Sequence, residues 1–100
     1  MHLRIYEVDV PMHDTTDPAR CGVHVFTGVA DSPAAALRRA HEVYGAALAA
    51  HTAGLEIPGK QPDRWGASGL RPGREMEWPA ARASRWHNSV SWTIRSDFAL

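Results

Sequence analysis

The chain has 100 residues, which fits one folded domain, and its 11 basic side chains balance 11 acidic ones. A neutral chain lacks the net positive charge typical of basic nucleic-acid-binding domains. No run reaches the roughly 20 apolar residues that a membrane span needs, and the single cysteine, Cys21, cannot form an internal disulfide. These features favour a cytoplasmic protein that does not bind membranes.

The composition also bears on the source and on the core. Ten of the 11 basic residues are Arg, and Ala, Gly and Pro are abundant, which is typical of the GC-rich genome of a high-GC bacterium. Sixteen Ala leave few large apolar side chains, so the four Trp must supply much of the buried bulk. A core this thin favours added stability from a partner or from formation of a homo-oligomer.

The first half of the chain predicts a hairpin. Residues 3–10 read as a strand with Tyr6, Val8 and Val10 on one face. Residues 11–21 contain two Pro and two Asp, which predicts a loop of eleven residues. Residues 23–29 then alternate β-branched side chains with a mixed set, which predicts a second strand.

A helix of about residues 33–53 follows the second strand. Asp31 or Ser32 is expected to cap it, Pro33 suits the first turn, and Gly54 suits the left-handed cap at its end. The 3.6-residue spacing predicts one helix face that consists of Ala36, Leu37, Ala40, Val43, Tyr44, Ala47, Leu48 and His51. Of these, Leu37, Ala40, Tyr44 and Leu48 are expected to pack on the sheet.

The second half of the chain is less regular. Residues 54–79 hold five Gly and four Pro and predict a long connection. Residues 79–86 are expected to form a short helix, and residues 90–94 a third strand with Trp92 buried. Together the elements predict a single α+β domain over residues 1–100, a small two-layer sandwich in which one main helix covers a three-stranded, mainly antiparallel sheet.

Metal binding and catalysis are both weakly supported. Cys21, His24 and His13 are the best zinc candidates, but no second closely spaced ligand pair accompanies them. The late cluster of Ser84, His87 and Asp97 lacks a nucleophile motif, and no Gly-rich phosphate loop joins strand to helix. We therefore expect no metal, no cofactor and no catalytic residues, and keep a small enzyme or zinc-binding domain as the third hypothesis.

Binding to another macromolecule fits the remaining features. Trp and Arg are the residue types that anchor protein interfaces, and they concentrate after residue 63. Of the tryptophans there, Trp65 or Trp86 is expected to be the more exposed. The predicted binding residues are Arg64, Trp65, Arg71, Arg74, Trp78, Arg82, Arg85 and Trp86.

The preferred hypothesis is a non-catalytic regulator or inhibitor that acts by protein–protein contact, of the sort encoded by mobile elements. The alternative is a nucleic-acid-binding accessory protein, since Arg interleaved with Trp can contact phosphates and stack on bases. The acidic residues among these Arg count against that alternative.

Overall fold

The computed structural model describes residues 3–70 and 73–86. Its sheet is antiparallel and is built around the first strand, β1 (Arg4–Asp14). Strand β2 (Cys21–Ala30) pairs with β1 along its length. On the other side of β1, β3 (Arg74–Met76) and β4 (Arg82–Arg85) pair with two successive segments of it. The predicted third strand at residues 90–94, with Trp92, lies outside the described residues.

The hairpin between β1 and β2 is longer than expected, and its loop is shorter. The strands continue to Asp14 and restart at Cys21, so the connection comprises residues 15–20 rather than eleven residues. Pro11 is tolerated inside β1 because it lies opposite the interruption between β3 and β4, where no ladder bond needs its missing N–H. Its carbonyl there accepts a hydrogen bond from the Glu77 N–H at 2.7 Å.

The predicted helix is confirmed as α1 (Pro33–Thr52). The Ser32 hydroxyl accepts a hydrogen bond from the Ala35 N–H at 3.1 Å and so caps the first turn. Gly54 adopts a φ of 72° and lets the Leu55 N–H reach the Ala50 carbonyl at 2.8 Å. That left-handed glycine ends the helix.

The helix face that meets the sheet lies within the predicted apolar face but consists of its smaller residues. Leu48 is 44% exposed, so its assignment to the core is wrong, while Leu37 and Tyr44 are only partly buried. Trp65 and Phe26 already fill the space over the sheet, which favours small side chains on the helix. The helix residues that are fully buried are Ala36, Ala40, Val43 and Ala47.

The region after α1 also departs from expectation. Strand β3 lies within the segment that was predicted to be a loop, and the helix predicted over residues 79–86 is wrong. A 3₁₀ helix (Trp78–Ala80) occurs there instead and is followed by β4. Backbone pairing with β1 outweighs the weak strand preference of the β4 sequence.

These elements confirm the α+β class, with one helix over an antiparallel sheet. The core lies between α1 and the sheet face that carries Tyr6, Val8, Val10 and Phe26. None of the helices in the described ranges is both long and apolar enough to cross a membrane.

Candidate binding surface

The residues predicted to bind a partner do not form one surface. One group lies beside β2, because the Val29 N–H donates a hydrogen bond to the Asp63 carbonyl next to it. The other group lies in or after β3 and β4, on the opposite side of β1. Arg71 is outside the described residues. The first group is Arg64 and Trp65, and the second is Arg74, Trp78, Arg82, Arg85 and Trp86.

Trp65 belongs to the core. Its side chain has 0% exposure, and its indole N–H donates a hydrogen bond to the Val29 carbonyl at 2.8 Å. The ring lies directly on Gly28, where a Cβ atom would come within 2.3 Å of it. Of the two tryptophans expected to be the more exposed, Trp65 is therefore not exposed, since its one polar group is satisfied and its ring is covered, whereas Trp86 is half-buried.

The loop that carries Trp65 is held to both layers of the fold. The Arg39 guanidinium on α1 donates a hydrogen bond from Nε to Asp63 Oδ2 at 2.7 Å. This bond lowers the pKa of Asp63 and raises the pKa of Arg39. The next residue, Arg64, is exposed and adopts a φ of 72°, which turns the chain so that Trp65 enters the core. The backbone of Arg64 thus contributes to the fold, whatever its side chain contacts.

Trp78 has a different environment on the other side of the helix. Its indole is half-buried and stacks on the imidazole of His41, with ring centroids 4.1 Å apart and planes 10° apart. His41 projects from α1 and is exposed. The stacked pair therefore lies at the protein surface, where another molecule can contact it.

Two further rings pack against the indole of Trp78. Tyr44 and Phe26 each have ring centroids 5.7 Å from that of Trp78. Tyr44 is half-buried, and burial raises the pKa of its hydroxyl. We call His41, Tyr44 and Trp78 the Trp78 surface. Sequence reasoning identified Trp78 but missed His41 and Tyr44 as its neighbours, because they lie over 30 residues away and no local pattern joins them.

The arginines of the second group point to different faces of the sheet. Arg85 is opposite Tyr6 and so lies on the face that carries α1. Arg82 is opposite Asp9 and lies on the other face. Arg74 is opposite Asp14 and lies on the α1 face. Arg82 therefore cannot join Arg74 and Arg85 in one basic patch, which weakens the case for a phosphate-binding surface.

Two concave features adjoin the helix. A cavity of about 20 Å³ beside Tyr44 and His24 has room for roughly one water molecule. Burial lowers the pKa of His24 there. A wider groove of about 220 Å³ lies between α1 and residues 58–67. Arg39 and Glu42 on its rim are already paired with each other at 3.3 Å, so the groove presents little unpaired charge.

The zinc candidates do not converge. His24 is opposite Val10 and lies on the α1 face, whereas His13 and Cys21 are opposite each other on adjacent strands. His13 instead contacts two carboxylates, Glu75 at 3.2 Å and Glu77 at 2.9 Å. Across residues 3–70 and 73–86, no three potential metal-ligating side chains come together.

Comparison with known proteins provides no further guide to this surface. No protein-family model, curated protein or solved structure matches the chain.

Proposed function

We propose that this chain is a non-catalytic binding protein and that it contacts another protein through the Trp78 surface. The observation that carries the proposal is the stacked His41–Trp78 pair, which is partly exposed although each ring packs against the other. An aromatic side chain that already packs against a neighbour before binding loses less conformational entropy when the complex forms. Such anchors dominate the binding energy of many protein interfaces.

A protein partner fits this surface better than a nucleic acid does. The chain has no net charge, and Arg82 and Arg85 lie on opposite faces of the sheet. Arg85 lies on the same face of the sheet as α1, and a surface that combines Trp, Tyr and Arg is typical of protein interfaces. A regulator or inhibitor that acts by such contact is the form of the proposal that we favour.

The test compares two histidines of the same helix. A partner is first identified by cross-linking in the native host, and its affinity for the purified chain is then measured. We expect His41→Ala to weaken binding by about tenfold, because it removes one ring of the stacked pair. The matched control is His51→Ala, since His51 is also exposed on α1 and alanine favours helix.

Equal affinities for the two variants and the parent would contradict the proposal. A complex that disappears on nuclease treatment, and whose affinity falls steeply with salt, would favour the nucleic-acid alternative. Arg85→Ala is expected to weaken binding to a protein partner more than Arg82→Ala does, because only Arg85 lies on the face of α1.

A further inference from the structure

The outer edge of β2 has backbone groups that the described fold does not use. The Val29 N–H and carbonyl point away from β1, because they bond to Asp63 and to the Trp65 indole. Backbone direction alternates along a strand, so the N–H and carbonyl groups of Val23, Val25 and Thr27 also point away from β1. In the part of the chain that the structure describes, no residue forms a hydrogen bond with these outward groups.

This edge lacks the features that usually prevent strands from pairing. Natural proteins protect an open edge with lysines or other charges, with proline, or by keeping the strand very short. Strand β2 has ten residues and contains no Lys, Arg, Asp, Glu or Pro. By contrast, β4 carries two Arg among four residues. The side chains of Val23, Val25 and Thr27 are half-buried, so their apolar surface is partly available.

We propose that this edge of β2 pairs with β2 of a second copy of the chain, antiparallel and about a two-fold axis. A strand that meets its own copy in this way is self-complementary, since every contact occurs twice. The absence of charge on β2 means that the axis brings no like charges together. Val23 would then lie opposite Val25 of the second copy, and β-branched pairs of this kind stabilise antiparallel sheets.

The position of the axis follows from where the edge is blocked. The outward N–H and carbonyl of Val29 are already bonded to Asp63 and Trp65. The open edge therefore runs from Cys21 to Thr27 and is centred on His24. That centre brings His24 opposite His24 of the second copy. Burial lowers the pKa of His24, so both imidazoles are neutral near pH 7 and do not repel each other.

The first test removes one outward N–H. Val25→Pro deletes a donor that points away from β1, so the monomer keeps its own ladder while the dimer loses a bond. We expect the parent to sediment increasingly as a dimer as its concentration rises, and Val25→Pro to remain a monomer with an unchanged circular dichroism spectrum. Val25→Thr keeps the N–H and the branched shape, and it should dimerise like the parent.

If Val25→Pro does not fold, Val25→Lys provides the same test, because it brings two ammonium groups close to the axis. A parent that stays monomeric at every concentration, or a folded Val25→Pro or Val25→Lys that dimerises like the parent, would overturn the proposal. His41→Ala should dimerise like the parent, because His41 lies on α1 and not on β2. The pairing of β2 is therefore tested separately from partner binding by the Trp78 surface.

The second test measures a distance. Cys21 is the only cysteine and is exposed, so one spin label can be attached without any substitution. With the axis at His24, the two Cys21 residues are six strand positions apart, which is about 20 Å. A dipolar distance near that value supports the pairing. No measurable coupling in a sample that sediments as a dimer would contradict it.

Discussion

The two tryptophans of the Gly/Pro-rich region, Trp65 and Trp78, lie on opposite sides of the same helix and have different environments. Trp65 is fully buried, its N–H is bonded to a strand carbonyl, and its ring rests on Gly28. Trp78 is half-buried and stacks on the exposed His41. The difference arises from what faces each ring. Gly28 leaves space for the buried indole of Trp65, whereas the indole of Trp78 packs on Phe26 and Tyr44 and stacks on a residue of the helix surface.

This comparison separates a residue that holds the fold together from one that is available for binding. Residue type and loop location do not distinguish the two, since both are tryptophans in a segment that lacks a regular period. Burial and the satisfaction of the indole N–H do distinguish them, and both properties can be measured.

The largest expected effect comes from removing the buried ring. Trp65→Ala should lower the free energy of unfolding by about 3–5 kcal/mol, because it leaves a large cavity between the sheet and α1. Trp78→Ala should cost less than half as much, since its ring is only half-buried. Chemical denaturation of both variants measures the difference, and equal losses would contradict the assigned roles.

The next effect tests the space beneath Trp65. Gly28→Ala adds a methyl group where the indole ring already lies, at 2.3 Å. Overpacking of this kind should cost about 1–3 kcal/mol. The double variant Gly28→Ala with Trp65→Ala should lose less than the sum of the two single losses, because the methyl group then has room. Additive losses would mean that the two residues are not in contact.

A smaller effect is expected at the ion pair that holds the loop of Trp65. The Arg39–Asp63 pair is about one-third exposed, so Arg39→Ala should cost less than about 1 kcal/mol. Because the pKa of Asp63 is lowered in the folded state, its contribution is present above the unfolded pKa and disappears as pH falls through the folded pKa. The parent and variant should therefore converge in stability in acid, as thermal melts against pH would show; a constant gap would argue against the pair.

The smallest effect concerns Arg64, whose φ of 72° suits glycine better than arginine. Arg64→Gly relieves this strain but increases the entropy of the unfolded chain, so the net gain in stability should be under about 1 kcal/mol. Arg64→Val, with a β-branched side chain, should be destabilised instead. If both variants lose stability equally, the side chain of Arg64 matters more than its backbone.

Several parts of the fold could be predicted from local sequence because their causes are local. Ser32, Pro33 and Gly54 determine where α1 begins and ends, and the alternation of Tyr6, Val8 and Val10 identifies the buried face of β1. Each signal lies within a few residues of the structure that it produces.

Other features depend on contacts between distant residues and could not be read from the sequence. Strand β4 forms because β1 offers an edge, and α1 packs on the sheet through Ala47 rather than through the neighbouring Leu48. The Trp78 surface likewise joins residues of the helix to one that follows β3. Gly28 within a strand was the one available clue to the position of Trp65, since an interior glycine often marks a close approach.

Hydrogen exchange of the tryptophan indole N–H groups, followed by ¹⁵N NMR and assigned with Trp65→Phe and Trp78→Phe, tests the distinction between the two tryptophans most directly. The Trp65 indole N–H is bonded to the Val29 carbonyl at 2.8 Å beneath the helix, so it should exchange only when the core opens. The Trp78 ring is partly exposed and should be broadened by a soluble paramagnetic agent that leaves Trp65 unaffected. Slow exchange at Trp65 together with broadening at Trp78 is the predicted result. Rapid exchange at Trp65, or a Trp78 ring that the agent does not reach, would contradict it.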